Sequence, residues 1–528
     1  MNRRDFVKAV GWTATVSCLT GCHTLGAAAP GRKKRPNIVL IMADDMGFSD
    51  IGCYGGEIRT PNLDRLAAEG TRFTHFYNAA RCCPTRASLL TGLYPHQAGM
   101  GGMVNGRGPG PYQGYLNDRC VTLAEVLKTA GYTTLMSGKW HVGEDRPHWP
   151  TDRGFERFFG LVSGGANYWN IAKTKAPNVR RKMAMDDQPF TPPREGFYMT
   201  DAFTDHAVQF LENDTTPDKP FFLYLAYTAP HWPLHAWPED IARYRGTYRI
   251  GWDELRRRRH RRQLDMGLVD AQWPLTPRDE AVQAWDSLDD ARKEEMDLKM
   301  AVYAAQIDRM DQGIGRVLEA VRRLGREEET MVLFLSDNGG CHEGGPWGFD
   351  NRKNGLPPGG EDSYMSYGQS WANASNTPFR LYKHWVHEGG ISTPLIARWP
   401  GVIRPGTLCH EVGHIIDFMP TCCEVSGADY PDAFKDKPVT PLEGKSLVPC
   451  FQGRPRIGHE ALYWEHEGNK AIRQDDWKLV SRKGGRWELY NMAADRTELH
   501  DRAEQDPQRV QDMLALYRAW AQRCGVRD

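Results

Sequence analysis

Cys82-Cys83-Pro84-Thr85-Arg86, continuing through Leu89-Leu90-Thr91-Gly92, sets a thiol beside a helix start. The spacing predicts a helix that begins at Pro84, where a missing N–H costs nothing, and closes at Gly92 in a left-handed conformation. A nucleophile just ahead of that helix faces unpaired backbone N–H groups and the positive end of the helix dipole, so an anionic substrate is favoured. Arg86 adds a planar fork of donors suited to tetrahedral oxyanions. An isolated pentapeptide of this kind more often marks a buried cysteine before a proline-started helix. Its meaning therefore rests on its neighbours.

Five further segments end in polar chemistry. Residues 37–43 and 330–335 are short and continuously apolar, as in buried parallel strands, and run into Asp44-Asp45 and Ser336-Asp337-Asn338. Singly these are ordinary acidic turns. Together, three carboxylates and an amide form an oxygen-rich set suited to Ca²⁺, and Mg²⁺ takes the same ligand types. Residues 132–137 are β-rich and lead to Gly138-Lys139-Trp140-His141-Val142-Gly143. There the i, i+2 spacing sets a point charge, Lys139, and a titratable base, His141, on one side of a strand end. Residues 221–227 form another apolar run, followed by His231 between Pro230 and Pro233. Lys383 stands five residues before Glu388-Gly389-Gly390 and the strand-like residues 393–397.

The Cys82 segment, C-x-P-[ST]-R followed by Thr-Gly, resembles the activation motif of the type I sulfatases, and Gly138 to Gly143 resembles that family's second signature. All six segments occur in the family's order between Asn37 and about Ile396. The resemblance implies that Cys82 is oxidised to formylglycine by a formylglycine-generating maturation enzyme, a transient partner. It also implies that Asp44, Asp45, Asp337 and Asn338 bind Ca²⁺, and that Arg86, Lys139 and Lys383 hold the transferring sulfate. His231 would serve the leaving oxygen, and His141 would act as the base that releases sulfate. The substrate implied is a sulfated small molecule or glycan. The family often has glycines around the second lysine, where this chain has Tyr382 and His384. A further active-site serine of the family has Ser163 as its candidate here. Two other readings stand beside this one. The first is a phosphodiesterase or phosphonate monoester hydrolase of the same alkaline-phosphatase-like superfamily. The second is a non-catalytic glycan-binding lipoprotein.

The elements that must position these residues are strands whose carboxyl ends share one edge. That is an α/β fold with a large, mostly parallel central sheet flanked by helices. Short turn-separated runs at 462–465, 471–473, 477–480 and 487–491 predict an antiparallel meander, with a helix over 507–524 covering one face. We therefore expect a catalytic domain over 30–430 and a small C-terminal subdomain over 431–528, in which His466 or Arg473 either touches substrate or serves the structure. The 528 residues suffice for this, and 67 basic against 67 acidic residues imply no nucleic-acid partner. The run Leu255 to Arg262 holds six arginines and one histidine, and is expected to be a solvated helix face.

Residues 1–29 are expected to be an export signal. Arg3-Arg4 resembles a twin-arginine motif, and Leu19-Thr20-Gly21-Cys22 resembles a lipobox that would anchor the periplasmic or cell-surface protein through Cys22; cleavage after Ala29 is the alternative. Of the twelve cysteines, nine remain after Cys18, Cys22 and Cys82, and their pairing is open.

Overall fold

The computed structural model describes residues 35–527. The expectations for residues 1–29, Cys22 included, lie outside the described residues. A ten-stranded mixed sheet organises the chain, and its centre is four parallel strands in the order Thr330–Ser336, Asn37–Asp44, Phe221–Pro230 and Thr133–Gly138. These strands are continuously apolar because both faces are covered. Ile38, Leu40 and Met42 point into one core, while Val39, Ile41 and Ala43 point into the other. The 34-residue helix Asp290–Arg323 covers one face; Cys82–Thr91, Leu123–Thr129 and Phe418–Ser426 contribute to the other. Antiparallel strands extend the sheet at its rims: Leu395–Arg398 on one side, Met183–Met185 and Gln188–Phe190 on the other.

Register then does the positioning. Ala43 pairs with Ser336, Asp44 with Pro230 and Gly138 with Ala226. Asp44, Asp337, Lys139 and His231 therefore leave the sheet at one edge, beyond the strands' carboxyl ends. The helix carrying Cys82 begins two residues earlier than expected: Cys82 is its first residue, Arg81 its N-cap and Pro84 its third residue. Proline fits there because the N–H groups of the whole first turn lack intrahelical partners. Gly92 closes the helix at φ 70°, its N–H donating to Ser88 O at 2.9 Å.

The arginine run departs from expectation. It lies on the helix Gly251–Asp265, but Arg256 and Arg259 face inward. Arg259 is fully buried between Asp50 at 2.7 Å and Glu57 at 2.8 Å, and Arg256 donates to Thr276 O at 2.7 Å. Only the outer arginines, such as Arg257 and Arg258 beside Glu254, are solvated. Arg259 braces the loop after Asp45, since Asp50 also accepts from Gly47 N at 2.8 Å.

The strands Leu462–His466, Asn469–Gln474, Trp477–Ser481 and Trp487–Asn491 form the expected antiparallel meander, and the helix Pro507–Cys524 packs on it. A buried ion cluster ties the meander to the turn at Glu388 and to Tyr77. Glu388 accepts from Lys478 at 2.8 Å, Arg496 at 3.0 Å and Tyr77 Oη at 3.0 Å. Arg473 joins this cluster by donating to Tyr77 Oη, so its role is structural rather than substrate contact. Among the described residues no helix is long and apolar enough to cross a membrane.

Burial opposes ionisation of Glu388, but Lys478, Arg496 and Arg473 outweigh it and hold the carboxyl at about 2. A depressed carboxyl contributes stability that is complete above its unfolded value, about 4.3, and is lost as pH falls towards 2. Glu388→Gln should therefore lower unfolding free energy at pH 7 by about 3 kcal/mol, by stranding buried cations, and flatten the acid limb between pH 4.5 and 2. Urea titrations at pH 7 and pH 3 check both; an unchanged midpoint at pH 7 would contradict the cluster's role.

Candidate active site

At the shared edge, three carboxylates and three cations meet in a site almost closed to solvent. Asp44 Oδ2 lies 2.6 Å from Lys139 Nζ and 3.7 Å from Arg86. Asp337 Oδ2 lies 2.8 Å from Arg86, whose other terminal nitrogen donates to Lys139 O at 2.9 Å. Asp45 accepts from Lys383 Nζ at 2.7 Å and from Asn338 Nδ2 at 2.7 Å, and its N–H donates to Asp337 Oδ1 at 3.2 Å. His231 Nε2 stands 3.5 Å from Asp45 Oδ2. The six segments singled out in the sequence thus converge, although Lys383 is 338 positions from Asp45.

Position 82 sits beside His141 and Cys83, their ligating atoms all within 4.8 Å of one another. The Cys82 thiol is held well below the ordinary thiol range. A hydrogen bond with Cys83 is the largest cause, and against burial Lys139 and His141 add to it. Burial dominates at His141 and lowers it to about 4; burial also lowers His231. Asp44 is pushed up by burial, yet Lys139, His231 and Arg86 together hold it well below the usual carboxylate range. Burial carries the Lys383 ammonium down, but Asp45 more than reverses this and raises it well above the ordinary lysine value.

The donor set fits a hard divalent cation. Asp44 Oδ1 and Asn338 Oδ1 are buried oxygens without a hydrogen-bond partner, an arrangement native interiors rarely leave without a ligand. With Asp45 and Asp337 they supply oxygen alone. Asp44, Asp45 and His231 also bring one ligating atom each within 4.8 Å of one another, so a nitrogen lies at the rim of this set.

Five residues around the site carry backbone strain. Asp45 (φ 69°), Ala80 (φ 65°), His141 (φ 58°), Leu381 (φ 64°) and His384 (φ 90°) all adopt left-handed conformations without being glycine. Such residues cost about 1–3 kcal/mol each and persist only where their surroundings over-determine them. His384 shows how: its N–H donates to Ala80 O at 2.8 Å and its Nδ1 meets Glu467 at 3.2 Å. His384 is thus pinned in the glycine-like conformation that delivers Lys383.

Glu343, Gly164 and Gly165 carried no sequence signal. Glu343 binds Arg81 at 2.9 Å and accepts from Trp232 Nε1 at 2.8 Å; despite burial, Lys383 and Arg81 hold it at about 2. Ser163 is fully buried and accepts from Lys182 N at 3.1 Å. Gly164 and Gly165 after it form the floor under the two histidines, where a Cβ would stand 2.8 Å from the His141 ring and 2.4 Å from the His231 ring. A Ser-Gly-Gly triplet reads as an ordinary loop, and only three-dimensional contact reveals its use. His466 is fully buried behind His384, ring centroids 5.4 Å apart.

Comparison with known proteins now bears on this site. Residues 36–428 match the sulfatase family, and residues 379–518 match the C-terminal region of N-sulphoglucosamine sulphohydrolase. The chain belongs to the sulfatase family, within the alkaline phosphatase superfamily. An arylsulfatase of Klebsiella aerogenes is 37% identical, over 80% of this chain and 93% of its own length. N-acetylgalactosamine-6-sulfatase of Mus musculus is 31% identical over 88% and 76%. Among solved structures, Ps i-CgsB in complex with k-i-k-neocarrahexaose is 26% identical with a TM-score of 0.68, covering 92% of this chain and 93% of its own. A protein solved with its substrate D-glucosamine-2-N,6-O-disulfate shares the fold at 22% identity and TM-score 0.64, covering 94% and 99%. The sulfatase is accordingly a sulfuric ester hydrolase.

Adding one methyl group beneath His231 tests the floor. Gly165→Ala should lower kcat/KM for a sulfate ester by about 10²-fold, the scale of an ångström-sized misplacement, with the far-UV spectrum retained. Activity within twofold of the parent would show that His231 need not stay where it is.

Proposed function

We propose that this sulfatase cleaves sulfate monoesters with formylglycine at position 82 and a calcium ion on Asp44, Asp45, Asp337 and Asn338. The observation that carries the reading is the pair of partnerless buried oxygens, Asp44 Oδ1 and Asn338 Oδ1, set beside a cysteine at a helix N-terminus. When present, the ion supplies Lewis-acid charge and the modified side chain supplies a hydrated aldehyde. The chain's own residues do the rest. Arg86, spent on Asp337 and the Lys139 carbonyl, fixes the two halves of the cation set relative to each other. Lys139 and Lys383, cationic across the neutral range, hold the transferring group and strengthen as charge shifts onto its oxygens. His231 presents Nε2 towards Asp45, because its Nδ1 faces the Trp232 carbonyl, and serves the leaving oxygen. His141, neutral above about pH 4, stands beside position 82 and accepts a proton there.

We also propose that the chain is exported through its Arg3-Arg4 signal and anchored at Cys22, with modification preceding transport. A mature N-terminus mapped to lipidated Cys22 agrees with this, and a free one at Pro30 removes the anchor.

Protein co-expressed with a maturation enzyme should show a clear kcat/KM preference for an aryl sulfate over the matched phosphate monoester and diester. Cys82→Ala should abolish turnover, and chelation of calcium should suppress it reversibly. A preference for either phosphoester would transfer the activity to the phosphohydrolase branch of the superfamily.

A further inference from the structure

A cleft of about 310 Å³ adjoins the active centre on the side of the meander, within the size range of ligand sites. His384, which follows Lys383, stands in its wall with Glu467, Tyr112, Arg107, Lys483 and Arg527. Arg81, the residue before Cys82, lies close enough to help hold the Glu467 carboxyl down at about 2; its hydrogen bond with His384 is the larger cause.

Among the described residues the charges in this cleft do not balance. Its two carboxylates are already partnered. Glu465 accepts from Tyr112 Oη at 3.0 Å and Gly468 N at 2.8 Å and meets His96 at 2.8 Å; Glu467 meets His384 at 3.2 Å and Arg107 at 3.6 Å. Two of the three cations are not. Among the described residues neither Lys483 nor Arg527 has an ion-pair partner. The Arg527 guanidinium lies over the Tyr112 ring at 4.7 Å and donates to Arg107 O at 2.9 Å, which fixes its plane without neutralising it. Lys483 stands exposed on the turn between the strands Trp477–Ser481 and Trp487–Asn491.

We infer that this cleft binds a second anionic group, sulfate or carboxylate, on the saccharide unit next to the one whose sulfate ester is cleaved. The inference rests on the sulfatase reading above and narrows its substrate class to polyanionic glycans. A planar guanidinium and a mobile ammonium suit an anion whose position varies from unit to unit. The specificity would come from the C-terminal meander and the residues after its covering helix, while the sheet edge supplies the chemistry.

The test compares three sulfated disaccharides that share one scissile ester: one with no other charge, one with a carboxylate on the adjoining unit, and one with a second sulfate there. The mature protein should favour one or both dianionic substrates by about tenfold in kcat/KM, mainly through KM, and the preference should shrink as ionic strength rises. Preference for only one dianion identifies the anion; preference for both shows recognition of charge alone. In Lys483→Ala combined with Arg527→Ala the ratio of dianionic to monoanionic kcat/KM should fall to within about twofold of unity, and Lys483→Arg should retain it. A parent enzyme that cleaves the uncharged-neighbour substrate equally well, or a ratio untouched by the double substitution, overturns this inference alone. A parent that cleaves none of the three esters, nor an aryl sulfate, overturns the sulfatase reading of the site instead.

Discussion

Everything at the active centre depends on compensating buried carboxylates. Asp44, Asp45 and Asp337 are at most 1% exposed, and charges so deep persist only when opposite charges or a cation meet them. Lys139, Arg86 and Lys383 meet them from three separate segments of the chain, although burial and the neighbouring Asp44 still push the Asp337 carboxyl well up against Arg86. The same contacts that make the acids tolerable therefore assemble the site. Removing one partner does more than delete a contact, because it leaves an unpaired charge in a closed interior.

The meander is tied into this balance. Glu388 opens the Glu-Gly-Gly turn, and Lys478 and Arg496 anchor its carboxylate from the C-terminal side. Gly389 lets the turn approach so closely that a Cβ would stand 2.2 Å from Leu381 O. The loop bearing Lys383 is thus clamped between the turn below and Glu467 above, and its left-handed residues are held by contacts from both units of structure. A subdomain that seems peripheral in sequence helps set the position of a lysine at the reacting centre.

How much of this was legible in sequence follows from period and length. The four central strands announced themselves as short apolar runs because both faces are buried, and each run ended within three residues of its observed limit. The meander and its helix were equally readable from turn spacing and amphipathic pattern. Contacts made only in three dimensions were not readable. Nothing in the run of arginines says that Arg259 is core and Arg257 is solvent; the helix phase relative to Asp50 and Glu57 decides it. Nor does any local pattern distinguish Gly165, or single out Glu343 among acidic residues. The left-handed residues hide for a related reason: Asp45, His141 and His384 are not glycine, so only their surroundings reveal the strain.

The central claim is that position 82, in modified form, does the chemistry of this charge-balanced centre. Preparations that differ in maturation should therefore differ in turnover only through that residue. Quantifying the aldehyde at position 82 by mass spectrometry across such preparations, alongside kcat for an aryl sulfate under calcium saturation, tests this directly. The account predicts a line through the origin, with turnover proportional to the aldehyde fraction. Full turnover in protein whose residue 82 is entirely thiol would contradict it.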